Sequence, residues 1–270
     1  MKTVVITGAS SGIGKATAKY FHEKGWNVVA TMRNTADAKE LTLLKNVLVV
    51  QLDVTEEHSI TNALENALAV FGTLDVLVNN AGYGIRGPFE AATESQIKNQ
   101  FEVNVLGLMR VTKIFLPYFR KHRKGIIINV SSLGGRVTIP LFSLYLSSKW
   151  AVEGFTETLR YELRPLNISV KLIEPGATRT DFASRSQTRL NTDQINEYKE
   201  YTDKVDQRTQ QLASRNHSDP EIVARTIFTA ATDGRQKLRY PCAGKAHIIL
   251  FLRNILGYRL FTGLVQKSME

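Results

Sequence analysis

Ser132, Tyr145 and Lys149 are the residues of this 270-residue chain whose types and spacing fit proton transfer at a carbonyl or alcohol oxygen. Tyr145 and Lys149 are four apart, so on a helix they share one face, where an ammonium stabilises a phenolate and lowers the phenol pKa. An isolated tyrosine titrates near about 10, too high for proton exchange at neutral pH, and a positive neighbour brings it toward the range where a general acid or base works best. Ser132 is then placed to hydrogen-bond the substrate oxygen. Taken alone, a Tyr and a Lys at helical spacing are more commonly surface or packing residues. The catalytic reading therefore depends on whether the rest of the chain supplies a hydride carrier.

The N-terminal segment Lys2-Thr3-Val4-Val5-Ile6-Thr7-Gly8-Ala9-Ser10-Ser11-Gly12-Ile13-Gly14 supplies a place for one. A short β-branched run breaks into a loop with glycines at 8, 12 and 14, and a helical pattern follows at once. Glycines let the backbone turn and approach a ligand closely, while the next helix presents unpaired N–H groups and a positive dipole end to a pyrophosphate. A bare steric turn is the alternative, but the strand and helix on either side are what dinucleotide binding demands. The second strand, Trp26 to Met32, should end beside the adenosine ribose, where an Asp or Glu commonly selects NAD. No acidic residue occurs from Trp26 through Ala36, and Arg33 follows the strand. A 2′-phosphate would meet a cation there, so NADP(H) is favoured over NAD(H), although Arg33 also fits a solvated loop charge.

With Thr7 to Gly14, Asn79-Asn80-Ala81-Gly82, Tyr145 to Lys149 and Pro175-Gly176 in order, the chain resembles the short-chain dehydrogenase/reductase family over about residues 2 to 182. Within it the sequence looks most similar to the steroid and retinoid dehydrogenase branch. The resemblance implies a catalytic set of Asn104, Ser132, Tyr145 and Lys149, with a Ser-to-Tyr separation of 145 − 132 = 13 that leaves Ser131 one residue off. Asn104 lies in an apolar helical stretch, where a buried amide must be paired; the family role is to hold a water linked to the lysine. The cofactor contacts implied are Gly8, Ser10, Ser11, Gly12, Ile13 and Gly14 at the phosphates, with Ser11 joining Arg33 at the 2′-phosphate. Asp53 is implied at the adenine, and Asn80 at the adenosine ribose within the Asn80-Ala81-Gly82 turn. Tyr145 and Lys149 meet the nicotinamide ribose, and Pro175, Gly176, Thr178 and Thr180 the nicotinamide carboxamide.

The elements that must position these residues read as one α/β domain, residues 1–270, with no second domain required. Apolar β-rich runs at 3–7, 27–31, 47–52, 74–79, 126–130 and 168–174 alternate with helical stretches. That is the pattern of a doubly wound, Rossmann-like parallel sheet of about seven strands with helices on both faces. A seventh strand is expected near Lys245 to Leu250. Residues 183–218 resemble in position the family's substrate-binding flap, and their charge suggests a mobile lid or a solvated surface helix. Residues 219–270 form a C-terminal substrate or oligomer segment. Around the expected pocket stand Tyr83, Ile85, Val137, Ile139, Leu141 and Phe142, which suit a hydrophobic ketone or secondary alcohol and equally suit a core.

The formal net charge is +10, from 35 Lys and Arg against 25 Asp and Glu. Nucleic acid is not expected, because no reader motif is present and the basic cluster Arg120 to Lys124 falls at a helix C-terminus, where the dipole favours cations. His247 to Val265 mixes Ile, Leu and Phe with Arg253 and Arg259 and reads as a basic amphipathic surface; packing against the pocket or a second subunit is favoured over membrane contact. One cysteine, Cys242, and five scattered histidines give no metal set. No run approaches the about 20 apolar residues of a membrane span, and the first strand follows Met1 too closely for a signal peptide, so a soluble cytoplasmic enzyme is expected. The resemblance implies a homodimer or homotetramer built on the helices around Asn104 and Tyr145. The activity expected is NADP(H)-dependent interconversion of a hydrophobic ketone or aldehyde and its alcohol, with Tyr145 as acid and base. The alternative is a non-catalytic dinucleotide sensor on the same fold, which the complete catalytic set disfavours.

Overall fold

A computed structural model describes residues 1–179, 187–192, 195–216 and 218–269. The β-branched runs form strands β1 (Thr3–Thr7), β2 (Asn27–Met32), β3 (Val47–Gln51), β4 (Val76–Asn79), β6 (Gly125–Val130) and β7 (Ile168–Pro175), all parallel in the order β3-β2-β1-β4-β6-β7. β1 and β4 are buried along their whole length, as central strands covered on both faces must be. The order reverses between β1 and β4, and in such sheets ligands bind beyond the carboxyl ends of the strands at that switch point.

Helices α1 (Gly12–Glu23), the short α2 (Lys39–Thr42), α3 (Glu57–Phe71), α4 (Glu94–Phe101), α5 (Leu108–His122), α6 (Ser143–Leu163), α7 (Lys199–Asn216), α8 (Pro220–Thr232) and α9 (Ala246–Met269), with short 3₁₀ and π-helical turns between some of them, join the strands. One face of the sheet is sealed by α1 and α8, where Phe21 and Trp26 pack edge-on around Phe228. The other is sealed by α3, α5 and α6, with Phe115 and Phe119 fully buried on Val5, Leu77 and Ile127.

One expectation is corrected. The seventh strand is β9 (Arg239–Cys242), paired with β7, whereas residues 246–250 begin α9. Pro241 is tolerated because β9 is an edge strand, and Arg239 masks the apolar signal of so short a segment. Among the described residues one helical stretch, Ala246–Ser268, is long and apolar enough by length and composition to cross a membrane, although Arg253 and Arg259 interrupt its apolar run and its backbone breaks at Gly257.

The flap is described in part. Gln187–Arg189 forms β8, which pairs in parallel with β5 (Gly84–Arg86). α7 is charged but not detached, since Arg86 pairs with the buried Asp206 at 2.5 Å, donates to Thr209 Oγ1 at 3.2 Å, and shares Asp206 with Arg189. This segment is thereby tied to the strand that follows Tyr83.

Candidate active site

Every described loop named for the site leaves the same edge of the sheet. Gly8 follows β1, Arg33 follows β2, Asp53 stands just beyond β3, Asn80 to Gly82 follow β4, Ser132 stands just beyond β6, and Gly176 follows β7. Gly8 sits at φ +68°, and a Cβ there would come within 2.9 Å of Ala81 Cα. A Cβ on Gly14 would meet the Gly8 carbonyl oxygen at 2.1 Å, so α1 can start this close to the loop only with glycine at that position. The loop is pinned from β4: Asn80 Nδ2 donates to the Thr7 and Gly8 carbonyls at 3.0 and 3.1 Å, and Asn80 N and Ala81 N donate to Thr7 Oγ1 at 3.0 Å each. The Asn80 side chain, implied at the adenosine ribose, is thus committed to holding the glycine loop in shape. Ser11 caps α1 with extended backbone and no side-chain capping bond, which leaves its hydroxyl for a ligand. This cradle fits a pyrophosphate at a helix N-terminus.

Ser10 and Ile13 lie in the same turn, with the Ile13 carbonyl accepting from Thr17 Oγ1 at 2.7 Å. Arg33 is exposed, and among the described residues no carboxylate pairs with it. Glu40 is instead held by Lys15 and Lys19 of α1, at 3.1 and 2.7 Å. Asp53 is oriented by Thr55, whose N–H and hydroxyl both donate to Asp53 Oδ1. Gly176 N donates to the Cys242 carbonyl at 2.8 Å, and a Cβ on Gly176 would strike the Ala243 carbonyl at 2.7 Å, so this glycine also seats the turn after β9. Thr178 Oγ1 donates back to the Gly176 carbonyl at 3.0 Å. Thr180 lies outside the described residues.

The residues expected to transfer protons, Ser132, Tyr145 and Lys149, converge from the end of β6 and the first two turns of α6. Ser132 accepts from Gly134 N at 3.0 Å, and its hydroxyl is hydrogen-bonded to the Tyr145 phenol. Lys149 is buried, donates to the Val130 carbonyl at 2.9 Å, and stands 5.8 Å from the Tyr145 ring centre. Asn104 lies in a π-helical turn, Glu102–Gly107, inserted between α4 and α5, a deformation common at functional sites. Its Nδ2 donates to the Tyr83 carbonyl at 2.8 Å and to Ser148 Oγ at 3.1 Å, while its Oδ1 accepts from Tyr83 N at 3.0 Å. Ser148 in turn donates to the Tyr145 carbonyl at 2.6 Å. Gly82 is hemmed in by the same group, since a Cβ there would lie 3.1 Å from Asn104 Oδ1 and 3.9 Å from Lys149 Nζ.

The electrostatics differ from what Tyr–Lys spacing alone suggests. Burial raises the Tyr145 phenol above its ordinary value, with the Ser132 hydrogen bond pulling the other way. Burial also lowers Lys149 to about 8, partly opposed by the Glu153 charge. Desolvation is the leading cause of both shifts, and it favours the neutral form of each group, the protonated phenol of Tyr145 included.

The short chain dehydrogenase family matches residues 2–191 of this chain. The chain is a short-chain dehydrogenase. It is an oxidoreductase acting on CH–OH groups with a nicotinamide dinucleotide. An uncharacterized oxidoreductase of Schizosaccharomyces pombe is 40% identical over 240 residues, spanning 88% of this chain and 99% of the relative. A 3-ketodihydrosphingosine reductase of Bacteroides thetaiotaomicron is 40% identical over 195 residues, 72% of this chain and 71% of that protein. A solved short-chain dehydrogenase from Streptomyces avermitilis superposes with TM-score 0.83 at 34% identity, covering 94% of this chain and 92% of its own. A Burkholderia phymatum member in complex with NAD gives TM-score 0.79 at 25% identity, covering 93% and 92%, and ElxO with NADP bound gives 0.76 at 26%, covering 92% and 99%.

Behind the site of this short-chain dehydrogenase lies a buried charged cluster that the sequence did not reveal. Arg239 of β9 donates to Glu153 at 3.0 Å and to Glu157 at 2.6 Å, and its Nε stands 3.4 Å from Glu174, which Arg136 approaches at 3.6 Å. Glu153 is one helical turn beyond Lys149, and Glu174 directly precedes Pro175. Burial, then the Glu153 charge, raises the Glu174 carboxyl to about 7, with both arginines pulling it back. A folded-state pKa above the ordinary 4.5 stabilises the fold at low pH, and that stabilisation is lost as pH rises toward 7. Glu174→Gln, which mimics the protonated form, should therefore match wild type near pH 4 and exceed its stability by on the order of 2 kcal/mol at pH 8 in urea melts. An equal loss at both pH values would contradict this.

Proposed function

We propose that this dehydrogenase is an NADP(H)-dependent reductase of hydrophobic ketones or aldehydes in which Tyr145 is the proton donor. The observation that carries the reading is Tyr145, raised by burial and hydrogen-bonded to Ser132, one helical turn from the buried Lys149 and beside a glycine cradle at the sheet switch point. Ser132 and Tyr145 together hold the carbonyl oxygen, polarising it as the phenol gives up its proton. Lys149, fixed on the Val130 carbonyl, holds positive charge behind the developing phenolate, and Asn104 holds the Tyr83 strand and the Tyr145 turn so that a water there can return the proton.

The residues fit a dinucleotide. Gly8, Ser10, Ser11, Gly12, Ile13 and Gly14 would hold the pyrophosphate, Arg33 and Ser11 the 2′-phosphate, Asp53 the adenine, and the Asn80-Ala81-Gly82 turn the adenosine ribose. Lys149 and Tyr145 would hold the nicotinamide ribose, and Pro175, Gly176, Thr178 and Thr180 the carboxamide. When bound, the reduced cofactor supplies the hydride.

Tyr83, Ile139, Leu141 and Phe142 are half-buried around this mouth, and Phe142 packs edge-on against Tyr145 at 6.3 Å, while Ile85 and Val137 are core. The half-buried four suit an apolar chain, as do the ketosphingoid name of one relative and the resemblance to steroid and retinoid dehydrogenases. Across ketones of rising chain length, kcat/KM with NADPH should rise; a flat or falling series would overturn the hydrophobic assignment. Arg33→Asp should weaken NADPH binding at least about tenfold while sparing NADH, by exchanging a cation for a repelling carboxylate. Equal NADPH affinity in wild type and variant would remove Arg33 from the site.

A further inference from the structure

Helix α9 is apolar on two sides. Its inner side, Leu250 and Phe261 with Ile249, Leu256 and Val265, packs on Val137 and Leu133 of the loop that follows Ser132. Its outer side carries Ile248, Phe251, Leu252 and Ile255, at the i, i+3, i+4, i+7 spacing of one helical face, and past the backbone break at Gly257 the side chains of Tyr258, Leu260 and Leu264 are exposed as well. These seven side chains are 42% to 75% exposed. Clustered apolar exposure of this kind marks an interaction surface.

Charge decides what that surface meets. From Gly234 through Met269 there is no Asp or Glu, whereas Arg235, Lys237, Lys245, Arg253, Arg259 and Lys267 fall in that stretch beside Arg239, whose charge is met by Glu153 and Glu157. A second copy would bring an equally basic face to this one on a chain of net charge +10, which repels. An anionic lipid surface is complementary in both respects, apolar within and negative at the headgroups.

The helix is not built to span. Its inner side is occupied by the loop beside the site, Arg253 stacks over Trp150 of α6 at 5.3 Å, and the backbone breaks at Gly257 (φ 67°, ψ 174°). Trp150 is itself exposed and stands next to Lys149, so the apolar surface reaches the edge of the site. The turn before the helix, with Ala243, Gly244 and Lys245 all at positive φ, and the bond from Arg208 Nε to the Ser268 carbonyl at 2.8 Å fix α9 at both ends.

We propose that the outer face of α9, with Trp150, seats the protein flat on an anionic bilayer, the helix lying in the interface with its inner side toward the site. The docking stands on the surface alone. Its use, delivery of an apolar carbonyl from the lipid to Tyr145, rests on the function proposed above.

The test is sedimentation of the full chain with phosphatidylcholine vesicles, plain or containing about a quarter phosphatidylglycerol, alongside F251E/I255E and R259E. Wild type should bind the anionic vesicles at least about tenfold more tightly than the neutral ones, and lose that preference in about 0.5 M salt. F251E/I255E should stay in the supernatant, R259E should bind more weakly, and both should keep wild-type thermal unfolding and NADPH oxidation with a water-soluble carbonyl. Wild type that ignores both vesicle types overturns the proposal. So does self-association that F251E/I255E abolishes in a chain that does not bind vesicles, which would assign the face to a second copy. Vesicle binding is read without turnover, so a failed carbonyl assay leaves this result intact.

Discussion

Tyr145→Phe is expected to lower kcat for carbonyl reduction by about 10³-fold while leaving NADPH affinity within about twofold of wild type, because it removes one proton donor and little volume. The hydroxyl is hydrogen-bonded to Ser132 and raised in pKa by burial, so wild type presents the acid form throughout the neutral range. Its loss acts on the step where charge develops on the substrate oxygen and should appear in kcat and kcat/KM together. The pH dependence of the wild type follows from Lys149. Lowered to about 8, the ammonium is lost as pH rises past that value, and with it the positive charge that stabilises a departing phenolate, so the reduction rate should decline above about pH 8. A Tyr145→Phe enzyme with an unchanged rate would remove the residue from the chemistry.

The second large effect is at the glycine cradle. Gly14→Ala should cost about 1–3 kcal/mol of stability and weaken dinucleotide binding at least about a hundredfold. The added methyl would lie 2.1 Å from the Gly8 carbonyl oxygen and 2.6 Å from Asn80 Nδ2, so the loop must move off α1 and give up the Asn80 bonds that hold it. Displaced, the loop no longer aims its N–H groups at the phosphates. Gly154→Ala is the internal control, a helical glycine with nothing within 4 Å of its would-be Cβ, expected to gain about 0.5–1 kcal/mol. Chemical denaturation and fluorescence titration with NADPH measure both. A Gly14→Ala protein that binds NADPH like wild type would show that the loop does not hold the phosphates.

Why these residues could be read in advance, and others could not, follows from the range over which each acts. The glycine loop is legible because close backbone approach demands glycine locally, and Tyr145 with Lys149 because a helical turn brings i and i+4 together. The strands β1, β2, β4, β6 and β7 are legible because a buried parallel sheet needs unbroken apolar runs. β9 is not, since its four residues include Arg239 and Pro241, and its place is set by pairing with β7. The direction of the Tyr145 shift was hidden for a different reason: spacing shows who can meet, not how much water is removed, and here desolvation leads both shifts. The Val130 carbonyl under Lys149 and the Ser148 bridge between Asn104 and Tyr145 are backbone and tertiary contacts with no signature of their own. Arg239 reaches Glu153 across 86 positions of sequence. The outer face of α9 was half legible, as a basic apolar stretch, but only the fold shows which side of it is left bare.

Reduction with NADPH deuterated at the transferable C4 position of its nicotinamide tests the central claim most directly. With a long-chain ketone and the purified protein, the account predicts an alcohol carrying one deuterium on the carbinol carbon, formed one for one with NADPH consumed and lost with Tyr145→Phe. Tight NADPH binding with no label in any alcohol, across ketones and aldehydes that span apolar chain lengths, would contradict it and leave a protein that binds the dinucleotide without using it.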